Sequence, residues 1–449
     1  VLGDLSGPKI RLGKVVAGGI DLAVGQIVEF SEETVTAVKP KASSDPVVFS
    51  TTYGPFIREV EPGQRVLLDD GFVRLTCVDK KQDRLICAVV DGGVVTSNKG
   101  VNLPDTELSV PALTDKDIRC VEFAVAQGFD FLALSFVRTG DCVRQLKQEL
   151  VRLGARPQDD LLDKESHLQF SAIEIESEDI IPIISKIEKP QAIANLESIL
   201  RETDGVMVAR GDLGVEMDLA EVAVLQKRVI RQCQDYGIPV IVATQMLQSM
   251  INSPTPTRAE VSDVANAIFD GADAVMLSGE TAVGKYPLES VAMMKRIALK
   301  TNAYIRQQGL VSPVACKALA HRRRAAALTH GVRTIAQDMD VKLLAVWAQF
   351  GGGAVYLSQQ RVPFPILCCS PSDAVLRRAS LLYGVTPVPM EQPPNSRAFL
   401  ENLDRLLLDQ NWAQASDPII VVLGEPITQI GLTNQICIHY VGETLAAKD

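Results

Sequence analysis

Lys186 and Glu188 close an apolar run, Ile183-Ile184-Ser185-Lys186-Ile187-Glu188, and a second run, Val206-Met207-Val208-Ala209, closes on Arg210-Gly211-Asp212. At the strand period of two, the Lys186 and Glu188 side chains point to one face. Asp212 opens a helix-like segment just past the second run. Two carboxylates and a lysine at the ends of two buried strands suit a divalent cation beside an anionic substrate. The same residues also read as a structural Lys–Glu pair followed by a helix cap, and the two runs alone leave both readings open.

The elements that would carry these side chains follow a β/α rhythm. Strand-like runs lie at 1–4, 129–136, 181–187, 205–209, 238–244 and 272–277. Helical segments fall between them at Gln191–Leu200, Leu219–Asp235, Arg258–Asp270 and Leu288–Lys300. Repeats of roughly 22 to 35 residues fit a parallel β/α barrel, whose chemistry sits at the C-terminal ends of its strands. Thr114, with Asp117 three residues on, starts a helix through Gln127 as a weaker relative of the capping box. An acidic stretch at 155–179 reads as a surface insertion. Eight strands close such a barrel. The two outstanding would precede Val1, so the native chain is expected to be longer.

Residues 14–110 have a different texture: short alternating runs divided by Asp-Asp-Gly and Asp-Gly-Gly turns, as in a small barrel or sandwich. Residues 300–449 carry strand candidates at 343–347, 365–369, 419–423 and 436–441, with helices between, as in an open α/β sheet. The expected units are therefore a barrel (1–13 and 111–299), an all-β insertion (14–110) and a C-terminal α/β unit (300–449). A chain of 449 residues requires more than one core. Its net charge of −10 argues against nucleic acid and anionic membranes as partners. Nine scattered cysteines without zinc spacing read as free thiols of a reducing cytoplasm. The four histidines (His167, His321, His330 and His439) lie away from every motif and are assigned no catalysis.

Eight segments occur in a telling order. The first three are Asp4-Leu5-Ser6-Gly7-Pro8-Lys9-Ile10-Arg11, Lys99-Gly100-Val101-Asn102-Leu103-Pro104 and Ser135-Phe136-Val137-Arg138. Ile184–Glu188 and Ala209–Gly214 follow, then Ala243-Thr244-Gln245-Met246-Leu247, Pro256–Glu260 and Leu277-Ser278-Gly279-Glu280-Thr281-Ala282. In this order the chain closely resembles the pyruvate kinase family, strongly over residues 1 to about 300 and more loosely beyond. The resemblance implies a (β/α)8 barrel interrupted by a β-rich lid domain, then an α/β effector domain. It implies transfer of a phosphoryl group from phosphoenolpyruvate to ADP, and a homotetramer.

The same resemblance gives Glu188 and Asp212 to Mg²⁺ or Mn²⁺, and Lys186 to the transferring phosphoryl group. It gives Gly211, Asp212 and the Thr244 hydroxyl to the substrate carboxylate, and Thr244 and Ser278 to the neighbourhood of the proton that makes pyruvate. Arg11 would meet phosphate, and Lys99 the nucleotide under a closed lid. Asp4, Leu5 and Lys9 mark the region where relatives hold a monovalent cation. Potassium-dependent relatives carry glutamate where this chain has Lys9, so its ammonium is expected to replace K⁺, with Asp4 close by. The loop Ala348–Gly353 lacks the hydroxyls that sugar-phosphate-activated relatives place there, although its glycine backbone could still form an anion nest, and activation by fructose 1,6-bisphosphate is left doubtful. An Arg-x-Asn-x-Ser-type segment of the family is not found in these residues. Two other readings stand beside the kinase: another metal-dependent barrel enzyme acting on pyruvate or its enolate, and a catalytically impaired paralogue serving as a metabolite-binding subunit.

Overall fold

The computed structural model describes residues 1–40, 45–156, 179–308, 323–428 and 433–446. The expected insertion at 155–179 lies almost wholly outside them, as do His167 and His321.

Six parallel strands lie side by side in chain order: Leu2–Leu5, Phe131–Leu134, Ile183–Ile187, Gly205–Ala209, Val240–Ala243 and Ala274–Val275. All six were expected: four have their ends trimmed, Gly205–Ala209 is as expected, and the first is shifted by one residue. Every residue of Gly205–Ala209 and of Val240–Ala243 is buried, as unbroken apolar runs in a parallel sheet covered on both faces require. Ile183 and Ile187 pack outward among the helices, whereas Ile184 packs inward with Ala133, Met207, Ile241 and Ala243. Lys186 and Glu188 share the parity of Ile184, so they climb the inner wall towards the C-terminal mouth.

The covering helices follow local signals. Thr114 and Asp117 form a complete capping box, as do Thr257 and Glu260. The helix expected over Gln191–Leu200 is instead two, Pro190–Ala194 and Leu196–Leu200, broken at Asn195. Its side-chain amide donates to the carbonyl oxygens of Gln191 (3.0 Å) and Arg138 (3.2 Å), a competition with backbone pairing typical of asparagine. The helix that was to stop at Lys300 runs over Pro287–Gln308, past the boundary drawn at 299, and packs Ile305 against the barrel core.

The β-rich lid is a six-stranded sheet in the order Val101–Asn102, Arg65–Leu68, Val73–Lys80, Arg84–Asp91, Ile27–Ser31, Val47–Phe49, with two further strand pairs. Phe30, Phe49 and Phe56 centre its core. Ile10 and Leu12 already belong to that core, so the chain leaves the barrel before the boundary drawn at 13. The C-terminal sheet orders Val385–Pro389, Ile366–Ser370, Leu344–Trp347, Pro418–Leu423 and Gln435–Tyr440, the last antiparallel. Val385–Pro389 was missed because Pro387 and Pro389 demote a strand reading, yet an edge strand tolerates them.

Below the barrel, Asp273 ties the two larger units together. Its fully buried carboxylate accepts from Arg361 Nη2 (3.0 Å), Gln359 Nε2 (2.9 Å) and the backbone N–H of Val240 (2.8 Å). Among the described residues no helix is long and apolar enough to cross a membrane.

Candidate active site

Four side chains meet at the mouth of the barrel. Lys186 Nζ donates to Ser135 Oγ (2.8 Å) and lies 3.0 Å from Glu188 Oε1 and 3.2 Å from Asp4 Oδ1. Burial disfavours the Lys186 ammonium, but Glu188 and then Asp4 outweigh it and raise the pKa above the ordinary lysine value. Glu188 is 1 % exposed, and its second oxygen accepts the Phe136 N–H at 2.8 Å. Burial raises its pKa; Lys186 pulls the other way, Asp212 pushes the same way, and the net shift is upward.

Asp212 thus adds like-charge repulsion to the burial of Glu188, which a bound cation would relieve. Carboxylate oxygens suit Mg²⁺ or Mn²⁺. Among the described residues no group of three His, Cys, Asp or Glu gathers to hold a metal. Two protein carboxylates fit a hard cation that fills its remaining positions with water and substrate oxygens.

At the next strand ends, Thr244 has φ +70° and Gln245 φ +53°, a left-handed conformation that costs a β-branched residue dearly. Arg210 holds that turn in place. Its guanidinium donates to the carbonyl oxygens of Thr244 (2.7 Å) and Gln245 (3.2 Å) and pairs with Asp263 (2.7 Å). The turn aims Thr244 Oγ1 at the Gly211 N–H, which donates to it at 2.8 Å. Ser278 lies three residues past the last of the six strands, just before the helix Gly279–Ala282, and its Oγ is buried without a partner. Its N–H is held by Glu280, whose other oxygen accepts the Leu247 N–H at 2.9 Å.

An open cleft separates this mouth from the lid, lined by Lys9, Asp70, Asn102, Phe136, Lys189 and Asp212 among others. Lys9 is exposed at its edge. The cation that pairs with Asp4 is Lys186. Leu5 is a core residue, 2 % exposed, with its side chain in the barrel wall. Arg11 and Lys99 come together at the base of the lid. Arg11 pairs by backbone with Gly100, and its Nη1 donates to the Asn98 oxygen at 2.9 Å; Lys99 Nζ lies 2.8 Å from Asp69. The structure thus gathers Lys186, Glu188 and Asp4 in one cluster, Gly211 and Thr244 in a second, and Arg11 and Lys99 on the lid side. Of the described histidines, His330 is exposed, and His439 is buried against Asp404 at 2.8 Å, both away from the cleft.

Sequence reasoning passed over Ser135, Arg210, Glu216, Lys189 and Glu280. Each lies in or next to one of the eight segments, which was the only available signal.

The family description "Pyruvate kinase, barrel domain" matches residues 1–158 and 168–291, and "Pyruvate kinase, alpha/beta domain" matches residues 326–439. A protein named pyruvate kinase from Mycobacterium intracellulare is 38 % identical over 447 residues, covering 99 % of this chain and 86 % of its own length. One from Corynebacterium efficiens is 39 % identical over 445 residues, covering 99 % of this chain and 85 % of its own. Among solved structures, a pyruvate kinase from Cryptosporidium parvum superimposes with a TM-score of 0.82 at 30 % identity, over 98 % of this chain and 83 % of its own.

Proposed function

We propose what each residue of the cleft does from one premise: the chain belongs to the pyruvate kinase family. It is a phosphotransferase that moves the phosphoryl group of phosphoenolpyruvate to ADP, giving pyruvate and ATP. The observation that carries the residue assignments is the cluster of Lys186, Glu188 and Asp4 at the barrel mouth, one strand from Asp212.

Lys186 meets the transferring phosphoryl group. Such transfers spread charge over the equatorial oxygens, and an ammonium already fixed by Ser135, Glu188 and Asp4 needs little rearrangement to stabilise it. Glu188 and Asp212 hold Mg²⁺ or Mn²⁺, which when bound supplies Lewis-acid stabilisation of the enolate oxygen. The substrate carboxylate docks at the Gly211–Asp212 turn. Since the Gly211 N–H is already paired with Thr244 Oγ1, that carboxylate must share or displace the bond. Ser278 Oγ, buried and unpaired, is free to hold a water on the path by which the enolate carbon gains its proton. Arg11 and Lys99 engage phosphates of the nucleotide from the lid side, and closure of the lid keeps water from the donor.

A coupled assay with phosphoenolpyruvate, ADP and Mg²⁺ tests this reading. Absence of turnover would favour the metabolite-binding subunit instead. The homotetramer and the cytoplasmic location belong to the same proposal and rest on the family.

Lys9 makes K⁺ unnecessary in this reading. Turnover in Na⁺- and K⁺-free buffer is expected to match that with 100 mM KCl within about twofold. At an effective dielectric of about 20, two unit charges about 10 Å apart interact by roughly 1.7 kcal/mol. Lys9→Glu should therefore lower the K⁺-free rate by about tenfold or more and make it respond to K⁺. Strong K⁺ activation of the unaltered protein would defeat the idea. At the other end of the molecule, the helix Gly352–Gln359 starts from Gly351 with no side-chain cap. Isothermal titration with fructose 1,6-bisphosphate is expected to show no micromolar binding.

A further inference from the structure

Glu216 is 1 % exposed and ends the short helix that begins with Arg210-Gly211-Asp212. One of its oxygens takes two donors from different parts of the fold. Lys189 Nζ, beside Glu188 in sequence, lies 2.5 Å away, and Asn102 Nδ2, three residues past Lys99 on the lid, lies 2.7 Å away. Its other oxygen is buried with no partner. Lys189 also sits over the Phe136 ring, 5.5 Å from its centroid, and the Phe136 N–H is the one that Glu188 accepts. A single carboxylate thus touches the lid, the residue next to one proposed metal ligand, and the helix that carries the other.

The chemistry of the two donors differs. Lys189 is a buried cation whose separation from Glu216 would strand a charge in a low dielectric, so that pair is permanent. Asn102 is a neutral amide, and moving it away separates no ions. A contact that must break and re-form each time a lid opens is better made by such a donor. We propose that Glu216 is a positioning residue that registers the closed lid, through Asn102, against the strand ends bearing Glu188 and Asp212, and so sets where the lid presents the nucleotide. The inference rests on the kinase reading above and adds to it a residue outside the metal and phosphoryl contacts.

A double-mutant cycle on the full chain tests it. The unaltered protein must turn over phosphoenolpyruvate and ADP, which decides the kinase reading by itself. Asn102→Ala is then expected to lower kcat/KM for ADP about tenfold, the size of one hydrogen bond to a charged acceptor, while changing KM for phosphoenolpyruvate less than about twofold. In a Glu216→Gln background the same substitution should cost less than about twofold, because the charged acceptor is already gone. The exchange of both polar groups, Asn102→Asp with Glu216→Gln, should recover part of the loss. Unchanged kcat/KM for ADP in Asn102→Ala overturns the proposal, as does an equal loss in both backgrounds, which would leave Glu216 a structural partner of Lys189 alone. Should Glu216→Gln fail to fold, Asn102→Ala decides the matter on the ADP parameter.

Discussion

Lys186→Met is expected to lower kcat at least about 10³-fold, with the KM for ADP far less affected. Methionine keeps most of the length and volume of the side chain and removes the charge. A single preorganised donor aimed at developing charge accounts for about 10²–10³ in rate, and a cation on a transferring phosphoryl group for more. Lys186 sits among Ser135, Glu188 and Asp4, so its position is fixed before substrate arrives and its loss cannot be made good by a mobile neighbour. The substitution has a second effect. Glu188, 1 % exposed, loses its nearest countercharge, and an unpaired buried charge is destabilising by about 3–5 kcal/mol. Thermal unfolding in metal-free buffer should therefore fall, and Mg²⁺ should restore more of the loss than it adds to the unaltered protein. Single-turnover rates within about tenfold of normal would remove Lys186 from the phosphoryl site.

Asp212→Asn should weaken Mn²⁺ binding by at least about 100-fold, read by electron paramagnetic resonance of free Mn²⁺ without any turnover. Changing an outer partner of a metal ligand costs about 10–100-fold in affinity, so converting one of only two protein carboxylates to an amide should cost no less. The substitution also removes the charge that pushes Glu188 towards its protonated form, leaving Glu188 a monovalent acceptor beside Lys186. Asn is nearly isosteric with Asp, and the helix Arg210–Glu216 starts without a side-chain cap, so its N-terminus should survive the change. Mn²⁺ affinity unchanged in Asp212→Asn would place the cation elsewhere.

The cluster at the barrel mouth was legible because covalent geometry decides it. A strand alternates faces, so Ile184, Lys186 and Glu188 had to share one, and the apolar run made that strand buried. The helix at Arg258–Asp270 could be bounded to the residue because Thr257 and Glu260 form a capping box and Gly271 closes it with φ +95°. Other features depend on contacts that no local pattern encodes. Thr244 at φ +70° contradicts the preference of a β-branched residue, and only the grip of Arg210 on the carbonyl oxygens of Thr244 and Gln245 makes it tenable. Glu216 reads as an ordinary helix glutamate until Asn102, 114 residues earlier in the chain, is laid against it. The partner of Asp4 was out of reach for a similar reason, because the cation that pairs with it comes from 182 residues away.

The buried Asp273 carboxylate has a consequence for how the junction below the barrel can be observed. It holds the Val240 amide proton with the same oxygen that Arg361 of the C-terminal unit approaches. That proton can trade for deuterium only when the carboxylate lets go, and withdrawal of Arg361 and Gln359 is one route to that release beside local opening of the strand. The isotope-exchange clock of one backbone amide inside the barrel is therefore sensitive to the undocking of a neighbouring unit, with no label, mutation or ligand introduced into either.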